Sequence, residues 1–180
     1  MIKLIKLEKI HLELVMNWRM KKEVTKYMFT DPILTMEKQV DWFKNIKNEL
    51  YWIIEKENQP IGLINIVNIN VNDKSCYCGH YIGEEGYRGI GIGKNVECNI
   101  YDYIFETLKL NKVYFEVIGY NIAAIRLHQS LGCEKERILK DYIKKYNEYH
   151  DVIVFSMEKE QWLNIKRNYQ YDKIIIENLC

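Results

Sequence analysis

Little in this chain stops or stiffens the backbone: Pro32 and Pro60 are its only prolines in 180 residues. It has no Pro/Gly/Ser linker, no internal repeat and no low-complexity tract, so nothing marks a boundary inside the length of a single ordinary domain. Long apolar runs are missing too, and none approaches the roughly 18 residues that a membrane helix requires. The first seven residues alternate apolar and lysine side chains and lead into Glu8 and His11. That denies them the unbroken apolar stretch of an export signal, so a cytoplasmic location is expected. Charge of one sign is not in excess either: 26 basic residues face 25 acidic ones. A nucleic-acid partner, which would need clustered Lys and Arg on one face, is not expected. The five cysteines, Cys76, Cys78, Cys98, Cys133 and Cys180, are odd in number and irregularly spaced. Cys76-x-Cys78 is a lone pair with no second pair to close a tetrahedral site, so all five are read as free thiols and no metal is expected.

What is present is 48% apolar residues in clear periods. Residues 1–7 alternate like a strand, and Ile10, Leu14, Val15 and Trp18 recur at helical spacing. Residues 24–34 are irregular. Thr35 is a suitable N-cap for a helix to about residue 48, with Glu37 in its first turn. Residues 51–56 and 61–71 read as a hairpin about Asn58-Gln59-Pro60, followed by a strand over 76–82. A helix from about Gly91 would bury Ile92, Val96, Ile100, Tyr103, Ile104 and Leu108. Residues 112–118 are a strand, and 121–131 a helix stopped at Gly132. Strands near 133–140 and 152–157 follow. Residues 1–160 form the expected domain, and 161–180 a short helix plus an appendage. The order predicts a mixed α/β fold: a mostly antiparallel sheet with helices on both faces. Such sheets bind ligands at the carboxyl ends of central strands.

The run Tyr87-Arg88-Gly89-Ile90-Gly91-Ile92-Gly93-Lys94 falls between a strand and a helix. Glycines let a backbone approach a ligand closely, and the free N–H groups of a helix's first turn favour an anion. A P-loop is excluded, because Arg88 stands at its first glycine position and Asn95 where its hydroxyl should be. A dinucleotide fingerprint is excluded because its third glycine would fall on Lys94. The pattern Arg/Gln-x-x-Gly-x-Gly/Ala is satisfied by Arg88, Gly91 and Gly93.

Downstream, Asn121-Ile-Ala-Ala124-Ile-Arg-Leu-His-Gln-Ser-Leu-Gly132-Cys133 resembles the second motif of the GNAT family of N-acetyltransferases, with Cys133 in place of its usual aromatic residue. Together with the glycine turn, the resemblance covers roughly residues 1–158. It implies the GNAT fold, with a V-shaped splay between two parallel central strands, here residues 76–82 and 112–118. It implies acetyl-CoA as co-substrate, a small-molecule amine as acceptor, no metal, and an oligomeric state for which a homodimer stays open. The amides from Arg88 through Gly89, Ile90, Gly91, Ile92 and Gly93 to Lys94 would cradle the pyrophosphate. The backbone of Tyr81, Ile82 and Gly83 would pair with pantetheine, and Asn121 and Ala124 would meet the same arm.

Amine acetylation needs a base for the amine and tolerates an acid for the thiolate. Glu116, in Val113-Tyr-Phe-Glu-Val, resembles the base of the ribosomal-protein branch, and burial between covered sheet faces would raise its pKa. His128 stands where the family usually has a Tyr acid; it shares a helical stripe with Ala124 and Leu131, so a packing role is the alternative. His80 is a second candidate base. Asn65 interrupts a strand face of Ile61, Leu63, Val67, Ile69 and Val71, where a buried amide must find partners. Trp18-Arg19, Met28-Phe29 and the closing strands resemble the branch that acetylates the 4-amino group of a UDP-linked 4-amino-4,6-dideoxy-N-acetyl-altrosamine in pseudaminic acid synthesis for flagellin glycosylation. Met20 and Gln39 depart from the Asn and His usual there. Arg19, Met28, Phe29, Gln39, Asn65 and Tyr81 are the expected acceptor contacts. The alternatives are a ribosomal-protein N-terminal or a polyamine acetyltransferase and, from another class, a non-catalytic acyl-CoA-binding module. A polyamine site would want clustered carboxylates, which residues 18–43 do not supply.

Overall fold

The computed structural model describes residues 1–179, so the expected Cys180 thiol lies outside the described residues. The chain opens with strand β1 (Ile2–Lys6) and helices α1 (Leu12–Met20), α2 (Lys22–Thr25) and α3 (Met36–Lys44). Strands β2 (Leu50–Lys56), β3 (Gln59–Asn70) and β4 (Ser75–Ile82) precede α4 (Ile92–Asp102), which runs on into a π turn, Tyr103–Thr107. Then come β5 (Lys112–Ile118), α5 (Ile122–Ser130), β6 (Glu134–Lys145), β7 (Glu148–Glu158), α6 (Lys159–Ile165) and a short β8 (Ile175–Ile176).

The eight strands make one sheet in the order β6-β7-β5-β4-β3-β2-β1-β8. The pairs β4–β5 and β1–β8 are parallel, and the others are antiparallel. The β4–β5 ladder covers Ser75↔Lys112, Cys76↔Val113 and Tyr77↔Tyr114, then stops. Beyond it the two strands part, and residues 79–82 keep a partner only in β3. This is the expected splay.

Two cores lie on the two faces. One joins Ile54, Ile64 and Ile66 of the sheet to Val96, Ile100 and Phe105 of the α4 side; the other joins Ile53 and Leu63 to Leu7, Val15 and Trp18. Ile61 sits in the first of these, not beside Leu63 as its spacing predicts. The register shifts between Ile54 and Glu55, and such a bulge switches the side to which the following residues point. Val71 lies past the end of β3 and is exposed.

Several boundaries move for local reasons. The first hairpin turns at Glu57 and Asn58, both with φ in the left-handed region (55° and 64°), as a two-residue turn requires. Pro60 is therefore inside β3, opposite Glu55 at the bulge. Tyr146 and Asn147 repeat that turn and extend the β6–β7 hairpin beyond the expected strands. Helix α3 ends at Lys44 because Asn45 caps it, its Nδ2 donating to Asp41 O at 2.7 Å. Ile10 is exposed in a 3-10 turn, and Leu12, Val15 and Trp18 form the buried stripe of α1.

The C-terminal segment packs back on the sheet. Trp162 is buried and donates Nε1–H to Asp102 Oδ1 at 2.9 Å. Asn95 Oδ1 accepts from Asp172 N at 2.7 Å, and Asn99 Nδ2 donates to Asp172 O at 2.8 Å. These contacts deliver β8 to the edge of β1. Cys76, Cys78, Cys98 and Cys133 are buried free thiols. Among the described residues no helix is long and apolar enough to cross a membrane.

Candidate active site

The splay opens into a cleft of about 1090 Å³ that reaches from the glycine turn to the N-terminal helices. At one end Gly89 and Gly91 have φ of 75° and 85°, a conformation that glycine adopts without strain. Gly91 is the N-cap of α4, so the first-turn amides of that helix have no partner inside the helix and face the cleft end. The Arg88 side chain turns away: its Nε donates to Ile82 O at 3.0 Å and its Nη2 to Gly83 O at 3.4 Å. It thereby ties the turn to the end of β4. Gly83 is forced by packing, since a Cβ there would meet the Trp18 ring at 2.2 Å. Asn121 caps α5, its Oδ1 accepting from Ala124 N at 3.3 Å. The unpaired edge of β4, the amide-lined turn and the cleft volume fit an extended pantetheine with a pyrophosphate at its end.

Alternation along the central strands makes the site two-sided. Phe115 belongs to the α4-side core, whereas Ile118 packs on the opposite face with Phe29, so Glu116 shares the face of Ile118. Glu116 lies open on the cleft as an exposed side chain, not buried as its place in the sheet suggests. Desolvation by the cleft walls still pushes its carboxyl up, with Arg137 acting against the shift.

On the α4 face, His128 is buried and stacks between Phe115 (ring centroids 4.5 Å apart) and Phe155 (5.4 Å). Its Nδ1 lies 2.8 Å from Glu97 Oε1, which also accepts from Tyr101 OH in a short hydrogen bond. Burial pushes the Glu97 carboxyl up, but His128, His80 and Tyr101 together outweigh it and hold it below the usual range. Burial drives His80 the other way, toward its neutral form, and a Cβ on Gly93 would meet His80 Nε2 at 3.1 Å. The donor atoms of Glu97, His128 and Cys133 lie within 4.8 Å of one another. All three are engaged in one hydrogen-bonded chain, with Tyr101 OH 3.1 Å from Cys133 Sγ.

The other end of the cleft is lined by α1, α3 and the segment after α2. Arg19 Nη2 donates to Thr30 Oγ1 at 3.2 Å, while its Nη1 and the Tyr81 hydroxyl are buried with no partner. Burial depresses the Arg19 guanidinium, opposed by Tyr81 and Asp31, and raises the Tyr81 phenol, opposed by Arg19. Lys26 and Lys38 line the same end, against Glu23. Lys145 from β6 reaches under this segment, donating to Thr25 O (2.8 Å), Met28 O (2.9 Å) and Asp31 Oδ1 (2.7 Å).

The cleft thus brings together Arg19, Met28, Gln39, Asn65, Tyr81, Ile82, Arg88, Gly89, Gly91, Ile92, Gly93, Lys94, Glu116, Asn121, Ala124 and His128. It does not bring in Phe29, which packs on Ile118, Ile143 and Val152, nor Ile90, which is exposed and borders a separate depression beside Tyr169. Gly83 supports the wall from behind. Asn65 is half-buried and spends its Oδ1 on the Gly79 amide at 3.1 Å. Sequence reasoning missed Glu97, Tyr101 and Lys145. The signal for the first two was a carboxylate and a phenol four residues apart on the helix read as apolar.

Fold and cleft are those of an acyltransferase, with a splay that would admit an extended donor between two parallel strands. Residues 2–134 match the acetyltransferase (GNAT) domain, so the chain belongs to the GNAT family and is an acetyl-CoA-dependent N-acetyltransferase. It is 30% identical over 121 residues to the acetyltransferase PseH of Campylobacter jejuni, a match over 66% of this chain and 73% of that one. It is 25% identical over 162 residues to the spermidine N(1)-acetyltransferase of Vibrio cholerae, covering 88% and 93%. The crystal structure of the Vibrio cholerae spermidine N-acetyltransferase in complex with CoA and spermine superposes with a TM-score of 0.85 at 23% identity, covering 91% and 98%.

Proposed function

We propose that the acceptor is an anion-bearing amine, specifically the 4-amino group of a UDP-linked amino-dideoxy sugar, and that the reaction takes place in the cytoplasm. One observation carries this reading: Arg19 Nη1 and the Tyr81 hydroxyl are buried, adjacent in their electrostatics and unpartnered at the acceptor end. Buried donors left without partners are costly, and a phosphate oxygen would satisfy both. Lys26 and Lys38 extend the positive side of this end, which has few carboxylates to meet a polyamine. The likeness to PseH supports the same choice, and the likeness to spermidine acetyltransferases supports the alternative.

In this reading the amides between Arg88 and Lys94 hold the pyrophosphate, and the free edge of β4 and Asn121 hold the pantetheine. Glu116 takes the proton of the attacking amine on the acceptor face. His128 supplies a proton to sulfur on the α4 face. The test is a screen of amines by release of free CoA, run with the parent and with Arg19→Met. The UDP-linked 4-amino sugar should be the efficient acceptor. The variant should raise its KM about 10- to 100-fold, the loss of one charge-assisted bond, without changing acetyl-CoA affinity. Efficient acetylation of spermidine or a ribosomal-protein peptide, with the sugar nucleotide untouched, overturns the reading.

A further inference from the structure

Glu97 is buried at 1% exposure in the middle of α4, and its Oε2 has no partner. A buried carboxylate needs a counter-charge. The titratable groups around it are Tyr101 and Cys98 of its own helix, His80 and Cys78 of β4, Cys133 after α5, and His128 of α5. Burial holds the phenol and the three thiols in their neutral, protonated forms and holds His80 neutral as well. His128 is the group in direct contact, its Nδ1 2.8 Å from Glu97 Oε1. A carboxylate only accepts hydrogen bonds, so the 2.8 Å contact makes His128 Nδ1 the donor. With Nδ1 turned inward and the residue lining the cleft, Nε2 is the nitrogen left for the cleft.

We propose that Glu97 is a positioning residue: it fixes the Nδ1–H of His128 and keeps the ring as an imidazolium whose Nε2–H is delivered to the departing sulfur. This rests on the reading of His128 as the acid. The amine lone pair forms the C–N bond at the thioester carbon, and the C–S bond breaks with its electron pair going to sulfur. Glu116 takes the surplus proton of the amine, and Nε2–H passes to sulfur. His128 ends neutral with its Nδ1–H still on Glu97, and exchange with water returns one proton to His128 and removes one from Glu116. Tyr101, bonded to the same oxygen, keeps the carboxylate from rotating.

The test is nitrogen NMR of the full chain labelled at histidine, with kcat for the UDP-linked 4-amino sugar followed against pH. In the parent, Nδ1 should be protonated at every pH at which the enzyme is active. In Glu97→Gln the Nε2 proton should be lost about one pH unit lower or more, and the alkaline limb of kcat should move with it. Acetyl-CoA affinity by calorimetry should not change. A bare Nδ1 in the parent overturns the proposal even if the variant fails to fold. So does an unmoved alkaline limb in Glu97→Gln. His128→Phe separates the two readings: parent kcat in that variant removes the acid role itself, whereas lost activity there with an unmoved Glu97→Gln profile removes only the positioning role.

Discussion

Lys145 is the side chain on which the acceptor end of the cleft depends, and Lys145→Met isolates its contribution. Methionine keeps most of the buried aliphatic stem and removes the ammonium. Thr25 O then loses a partner at 2.8 Å but keeps the Met28 amide at 2.9 Å, whereas Met28 O loses its partner at 2.9 Å. Each buried acceptor left unsatisfied costs about 1–3 kcal/mol. The ion pair with Asp31 adds little, because that carboxylate is 52% exposed and such pairs contribute about 1 kcal/mol or less. The sum, about 2–3 kcal/mol for one orphaned acceptor, one lost bond and a weak ion pair, falls on opening of the segment after α2, since the hairpin that carries Lys145 is held by its own ladder. At about 1.4 kcal/mol per decade, the opening equilibrium shifts by about 10–10². Amide exchange over residues 25–31, read by mass spectrometry, should quicken by about that factor. The acceptor KM should rise by about tenfold or more as the closed segment becomes a minor state, with acetyl-CoA affinity unchanged. If exchange in that segment stays within about twofold of the parent, the reasoning is refuted.

Gly91→Val should abolish measurable acetyl-CoA binding in calorimetry while circular dichroism stays native, because a β-branched residue at φ 85° distorts the turn. Glu116→Gln should lower kcat by about 10²–10⁴ at neutral pH, and in the parent the acid limb of kcat/KM should lie above the usual glutamate value of about 4.3. The sign follows from its role: a base works deprotonated, so a raised pKa makes activity disappear at higher pH as the solution is acidified. Asp102→Ala removes the acceptor of Trp162, Lys166, Tyr171 and Lys173 at once, and should lower the midpoint of thermal unfolding by roughly 5–10 °C. A fall of under about 2 °C would show that the tail is held by packing alone.

What the sequence made legible was the chemistry that short spans of backbone impose. Gly91 and Gly132 sit at positive φ where a helix begins or ends, and Asn121 caps the helix that follows it. Those needs act within a turn, so they show as spacing. Contacts between distant positions left no such trace. Glu97 and His128 are 31 residues apart, and Lys145 and Met28 are 117 apart. The bulge opposite Ile54 and Glu55 makes Ile61 the extra residue of β3 and redirects it, and Pro60 and Gly62 on either side of it are the local trace of that break. The resemblance of Met28-Phe29 to the amino-sugar branch makes Phe29 an expected acceptor contact, but the small apolar cluster at the end of the β6–β7 hairpin claims it.

The docking of β8 on β1 protects the sheet against its own kind. An outermost strand with bare amides and carbonyls is a template for any other extended chain. Here the tail pairs with Lys3 and Leu4, Glu177 N donates to Leu4 O at 2.9 Å, and Lys6 N donates to the Glu177 carboxylate at 2.5 Å. Trp52, buried in the core, adds its Nε1–H to Glu177 O at 2.8 Å. Loss of the last few residues would therefore uncover a sticky border at the side of the sheet remote from the chemistry. Its first symptom would be clumping of otherwise competent molecules, visible in light scattering before any fall in turnover.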